Sequence, residues 1–277
     1  MTKLLIEPLS KEHIKYLNNK DIAGYIVGIN NYSIFQSLKL SIDDIKNLDV
    51  NGKELYIYLN KPIHNSELSS IKNILIELSK MNITGVIYED VCIYMFNKNL
   101  NLNLNLIWGS MHLPTNSKTC NYWYDKGCAG ALLSTELMVS DFINIKKNTN
   151  MIIMVYLYGH IPIMESSRTL ITNYLSHINK KKECDVYNLY EKERDKFYPI
   201  YEEYDNTFIL EDVLNGINVV GDLKDAGIDY IILNSLLCDS SIDKVIDEYI
   251  EALNGKKFDY KDVYTGFLFK ESIFRVK

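Results

Sequence analysis

Proline is scarce in this chain, with five in 277 residues, and cysteine is no more frequent. The five cysteines, Cys92, Cys120, Cys128, Cys184 and Cys238, are odd in number and widely spaced. That argues against the disulfide framework of a small secreted domain. Neither CxxC nor CxxxC occurs, so this chain alone is not expected to build a zinc or iron–sulfur site. Long apolar runs are also missing. The longest, Met151 to Met164, is shorter than a membrane span and is broken at Gly159-His160. The N-terminal MTKLLIEPLSKEH is too poor in apolar residues for a signal peptide. The expected location is therefore the cytoplasm, with no membrane partner. GxGxxG, P-loop, GxSxG and HExxH patterns are all absent. The formal net charge of -6 argues against a dedicated nucleic-acid coat, while leaving room for a local basic patch.

What is present is a repeat. Apolar strands alternate with helical patterns at a period of roughly thirty residues. The strands are expected at Lys3-Glu7, Gly24-Asn30, Glu54-Asn60, Thr84-Glu89, Leu104-Gly109, Gly130-Thr135, Met151-Tyr158 and Asp229-Asn234. Ser10 and Ser41 stand where helix N-caps belong. Ser66-Met81 places Leu68, Ile71, Leu75 and Leu78 on one helical face. The strands are near-continuous apolar runs, as parallel strands buried on both faces require. The pattern predicts an α/β fold, a (β/α)8 TIM-type barrel with a β-rich insertion after strand seven. An open doubly wound sheet is the alternative. The barrel is expected to span residues 1–253, with the insertion at about 177–215. Residues 254–277 are expected to form a tail packed on the barrel.

In such a barrel the residues just past each strand's carboxyl end share one crevice. The strand ends offer Glu89, Glu136 and His64 as candidate catalytic groups, two carboxylates and an imidazole capable of acid–base work. Asn60, His112, Asn116, Tyr158, His160, Arg168, Asn173 and Tyr174 are candidate ligand contacts. Arg168 suits an anionic group held bidentately. Each has a plainer reading. His64, Glu89 and Glu136 can cap helices. Arg168 can pair with Glu165. His160 can serve a turn, and Tyr158 can be barrel packing. No nucleophile–base pair is evident, and no metal site is expected.

The stretch YGHIPIMESSRTLITNYL resembles the signature region of the U32 peptidase family, the collagenase-like proteases. LNKPIHN, NYWYDKGCAGALLSTEL and the tail TGFLFKESIFRVK extend the resemblance along nearly the whole chain. It is similar to the short Firmicutes-type branch related to the prephenate-dependent tRNA uridine hydroxylation proteins. The resemblance implies a (β/α) barrel. It also implies one of two activities, peptidase or RNA hydroxylation, the latter with an iron–sulfur cluster on four cysteines. Here the corresponding region carries Ile161, Pro162, Met164 and Thr169, with only Cys184 near its end. Gly159, Ser167, Arg168, Asn173 and Tyr174 are retained. The resemblance therefore implies a cluster-free subunit for tRNA wobble uridine 5-hydroxylation. The cluster would lie in a longer cysteine-bearing paralogue, with prephenate as co-substrate and tRNA met through the complex. The alternatives are a U32-type peptidase, or a non-catalytic barrel binding a small anionic ligand or a protein partner.

Overall fold

The computed structural model describes residues 1–110 and 112–270. The first half of the chain lays down five parallel strands, β1 (Lys3–Glu7), β2 (Gly24–Ile29), β4 (Glu54–Leu59), β5 (Gly85–Tyr88) and β6 (Leu106–Gly109). A short β3 (Lys39–Leu40) pairs beside β2. β7 (Gly130–Leu132), β8 (Ile152–Gly159) and β14 (Tyr230–Asn234) continue the sheet. β1 pairs with β14 on one side and with β2 on the other, so the eight long parallel strands close into a barrel. The doubly wound alternative is thereby excluded.

Two buried layers explain the continuous apolar runs. Leu55, Ile57 and Leu59 of β4 face the helices, while Tyr56 and Tyr58 face the lumen. In β8, Ile153, Val155 and Leu157 face the helices, while Met154 and Tyr156 face the lumen. This is the period-two alternation of a strand with both faces covered. Each fully buried Leu or Ile contributes about 1.5–3 kcal/mol.

The outer helices are α1 (Lys11–Leu17), α2 (Ile42–Lys46), α3 (Leu68–Leu78), α4 (Val91–Asn99), α5 (Ser117–Asp125), α6 (Val139–Lys147), α8 (Val220–Asp225) and α9 (Ile242–Leu253). Ser10 caps α1, accepting from the His13 amide at 3.2 Å. Ser41 caps α2 in a reciprocal pair with Asp44. The amphipathic pattern starting at Ser66 begins as a 3₁₀ turn, Asn65–Glu67, and becomes α-helical only at Leu68.

The insertion after β8 is an antiparallel sheet ordered β10 (Val186–Glu191), β11 (Lys196–Glu203), β12 (Asn206–Leu210) and β9 (Pro162–Ser166). α7 (Leu170–His177) crosses between β9 and β10. The inserted β structure thus begins at Pro162, ahead of the start expected near residue 177, because β9 gains a hydrogen-bonded partner in the distant β12. Glu202 of β11 fastens α7. It accepts from the Ile171 amide at 2.9 Å, the Thr172 amide at 3.1 Å and the Thr172 hydroxyl. β13 (Leu214–Asn215) pairs antiparallel with the end of β8 and returns the chain to the barrel. The tail lies against the same region. The Asn215 amide donates to the Tyr264 carbonyl at 2.8 Å, and the buried Leu268 offers its carbonyl to the Val139 amide at 3.1 Å. The end of the tail motif, residues 271–277, falls outside the described residues. No helix among the described residues is long and apolar enough to cross a membrane.

Candidate functional site

The carboxyl ends of the barrel strands open into a small cavity of about 50 Å³, with Pro162 of β9 at its edge. Aromatic rings supply much of its wall: Phe35 from the loop after β2, Tyr58 from β4, and Tyr156 and Tyr158 from β8. Phe35 holds a left-handed backbone, with φ of 56°, and its ring packs 5.0 Å from Phe208 of β12. A non-glycine residue in that region is strained, and surrounding contacts must hold it there. Gly159 ends β8 with φ of 120°, and a Cβ there would stand 2.6 Å from the Asn234 carbonyl oxygen. The Gly-His break in the apolar run thus marks a close approach of two backbones at the cavity edge.

Acidic groups gather at this mouth, with Glu7 buried, Glu89 partly buried and Glu165 more exposed. Glu7, the last residue of β1, is fully buried and accepts from the Tyr156 hydroxyl. Burial pushes its pKa up to about 7 against the opposing effects of Tyr156 and Gln36. Its Oε2 has no hydrogen-bond partner among the described residues. Across the lumen the Tyr58 hydroxyl donates to Glu89 Oε1 at 2.9 Å. Burial pushes Glu89 up to about 8, Tyr58 opposes the rise and Glu165 adds to it. Glu165, on β9, is itself raised by desolvation, with His112 opposing. Desolvation drives all three shifts, because a charged carboxylate is costly in a low-dielectric site. Neutral carboxyls and tyrosine hydroxyls can donate, accept and move protons at the same place.

The sequence candidates divide between this mouth and an outer groove. Glu89, Tyr158, His160 and Asn60 stand at the mouth. Glu89 is free for chemistry because Asp90, and not Glu89, caps α4 by accepting from the Cys92 amide at 2.9 Å. Asn60 uses its side-chain amide on both backbone groups of Ile34, at 2.8 and 2.9 Å, and so shapes the Phe35 loop. His160 Nδ1 lies 3.0 Å from the Glu211 carbonyl oxygen. His112 and Glu136 pair with each other at 2.9 Å on the exposed rim. Asn116 caps α5, accepting from the Thr119 amide at 2.9 Å.

The outer groove is lined by Lys61, His64, Ser167, Arg168, Thr169, Asn173, Asp205 and Asn206. His64 precedes the 3₁₀ turn, and its amide donates to Glu67 at 2.9 Å. His64 lines this groove, whereas Glu89 accepts from Tyr58 and Glu136 pairs with His112. Among the described residues Arg168 forms no ion pair, with Glu165 or any other acid. Tyr174 lies exposed on α7.

Glu7, Tyr58 and Tyr156 were not among the sequence candidates. Glu7 ends β1 as Glu89 follows β5, so the strand-end rule applied to the first strand finds it. The tyrosines gave no comparable signal, because both faces of their strands are apolar.

The cysteines are dispersed over the fold. Cys92 lies on α4, Cys120 on α5, Cys128 just before β7, Cys184 in the insertion and Cys238 after β14. Burial pushes the Cys120 and Cys238 thiols up to about 11. Among the described residues no three His, Cys, Asp or Glu side chains are grouped as metal ligands.

Comparison with known proteins adds a lineage to this geometry. The sequence model of peptidase family U32 matches residues 27–261. The tRNA hydroxylation protein P2 of Bacillus subtilis (strain 168) is 28% identical over 308 aligned positions, spanning 98% of this chain and 99% of that protein. The tRNA hydroxylation protein P1 of the same organism is 22% identical over 165 positions, spanning 57% of this chain and 39% of that protein. Among solved structures, orotidine 5′-monophosphate decarboxylase from Metallosphaera sedula superposes with a TM-score of 0.48 at 12% identity, over 91% of this chain and all of that one.

Proposed function

Because this chain belongs to peptidase family U32, we propose that it is a cluster-free subunit acting with a longer, cysteine-bearing paralogue in the 5-hydroxylation of tRNA wobble uridine. The observation that carries this reading is the end-to-end match to tRNA hydroxylation protein P2, 98% of one chain against 99% of the other. A partial match to the P1 protein of the same organism supports a pair of related chains, one much longer than the other. The dispersed cysteines support assigning the redox step, and any iron–sulfur cluster, to the longer chain. The subunit would work in the cytoplasm, where tRNA is, and would meet tRNA within the complex. Prephenate would be a co-substrate of that complex.

In this reading the acid–tyrosine mouth handles the reacting molecule. Glu89 and Glu7 would be the proton-handling groups, held by Tyr58 and Tyr156. The peptidase reading suggested by the family name has less support. Among the described residues no histidine ring bonds a Ser, Thr or Cys side chain.

The test is deletion of the gene in its host, followed by mass spectrometry of tRNA nucleosides. Loss of 5-hydroxyuridine, restored by the wild-type gene, is expected. Unchanged 5-hydroxyuridine in a host with no second pathway overturns the proposal. Affinity capture from the same host should also recover a longer U32-family chain in stoichiometric amount.

A further inference from the structure

We propose that the mouth cavity and the Arg168 groove together hold one unpaired RNA nucleotide, its neutral base in the cavity and an adjoining phosphate in the groove. The inference rests on the tRNA reading above and deepens it by dividing the substrate between two sites of opposite chemistry.

The two concavities adjoin. Asn60 lines the cavity and the next residue, Lys61, lines the groove. On the other side β9 leaves the cavity at Pro162 and delivers Ser167 and Arg168 to the groove.

The cavity rejects an anion and suits a neutral ring. No lysine or arginine is among the described residues lining it. Glu7 and Glu89 accept from Tyr156 and Tyr58 of its wall, so a bound anion would lie near acid with no counter-charge. Four aromatic rings line the walls, and planar bases stack on such faces. The Glu7 Oε2 is buried without a partner among the described residues, while Gln36 and Tyr156, which adjoin that carboxyl, both line the cavity. A buried polar atom left unpaired in the native state calls for a partner. Near neutral pH Glu89, pushed up to about 8, is mostly protonated and Glu7, pushed up to about 7, is protonated in part, so both can donate as well as accept, as the alternating N–H and C=O groups of a pyrimidine edge require.

The groove has the complementary chemistry. The Arg168 guanidinium forms no ion pair among the described residues, and the fork of an unpaired arginine matches a phosphate. Lys61 is already paired with Glu67 at 2.9 Å, and Asp205 is the one acid among the described lining residues. Arg168 is thus the group that would carry the phosphate. An unpaired nucleotide joins these two chemistries in one ligand, and proteins that act on a base take it out of the stack.

The test uses the purified full chain, alone and with its captured paralogue. The probe is an RNA hairpin whose loop carries a single 5-fluorouridine, followed by fluorine NMR and by binding at several salt concentrations. The fluorine resonance is expected to shift on saturation with wild-type protein. Thr135→Leu, which fills the cavity, should abolish the shift while retaining binding, and Glu89→Gln should alter it with the fold intact by circular dichroism. Arg168→Ala should weaken binding about tenfold and lower the salt slope by about one, leaving the shift at saturation unchanged. An unshifted resonance at saturation, or binding and slope indifferent to Arg168, overturns the inference. So does capture of small carboxylates in place of RNA. If the gene deletion leaves tRNA unchanged but these binding results hold, the hydroxylation reading fails and the nucleotide site stands. If 5-hydroxyuridine is lost but no shift appears, the reading stands and the site fails.

Discussion

The Tyr58 hydroxyl donates to the Glu89 carboxyl at 2.9 Å across neighbouring strands, and both groups sit where water is scarce. The carboxyl is pushed up to about 8 by that burial, and Glu7 is pushed up to about 7 by the same cause. A folded-state pKa above the unfolded one means that the native protein binds more protons through the window between them. Stability then falls as pH rises from about 4.5 towards 8, and levels off above it. Glu89→Gln removes one of these groups. Its Tm should exceed that of the wild type at pH 8.5, with the difference vanishing near pH 5. The cost relieved is on the order of a few kcal/mol. Thermal melts across pH check it, and a constant difference at every pH would refute the assignment.

Glu202 predicts the opposite pH behaviour. Burial alone would raise its pKa, but hydrogen bonds from Thr172 and from Lys182 win and hold it below the ordinary carboxylate range. Its contribution is present above the unfolded pKa and is lost as pH falls through the folded one. Glu202→Ala leaves the first turn of α7 without its acceptor and should cost about 1.5–3 kcal/mol. Limited proteolysis should then cut within the insertion, between β9 and β10, before the barrel is attacked.

Gly159 allows β8 to pass close to β14. Gly159→Ala places a methyl 2.6 Å from the Asn234 carbonyl oxygen in a backbone region that disfavours any side chain. The expected loss is about 2 kcal/mol or more, read as a lower urea midpoint with an unchanged m-value. A variant as stable as the wild type would mean that the strand ends separate freely.

Arg168 should behave as a binding residue with little part in stability. It is exposed and has no ion-pair partner among the described residues. Arg168→Ala should change unfolding free energy by no more than about 0.5 kcal/mol. A larger loss in chemical denaturation would assign it to the structure of the β9–α7 corner instead.

The barrel itself was legible because its cause is local. Short apolar runs such as Ile26-Val27 and Ile231-Ile232, each followed by a helical pattern, can bury both faces only inside a closed or covered parallel sheet. The strand-end rule brought Glu89, Tyr158 and His160 to one mouth. It did not separate His64 and Arg168 from that mouth, because the side groove exists only through the pairing of β9 with β12. Spacing along the chain carries no record of that pairing.

By itself, then, the sequence determined the alternation of strand and helix, the insertion after the seventh barrel strand, the family, and the dispersal of its cysteines. Only the tertiary structure decided which buried side chains face the lumen. Leu55, Tyr56, Ile57 and Tyr58 are all buried, and hydropathy does not tell the helix side from the lumen side when both are covered. Closure of β1 against β14 brought Glu7 beneath Tyr156, and the fold-back of β9 set Arg168 outside the mouth. Desolvation depends on neighbours far apart in sequence, so the raised carboxyls and the division between a neutral cavity and a cationic groove arise only on folding.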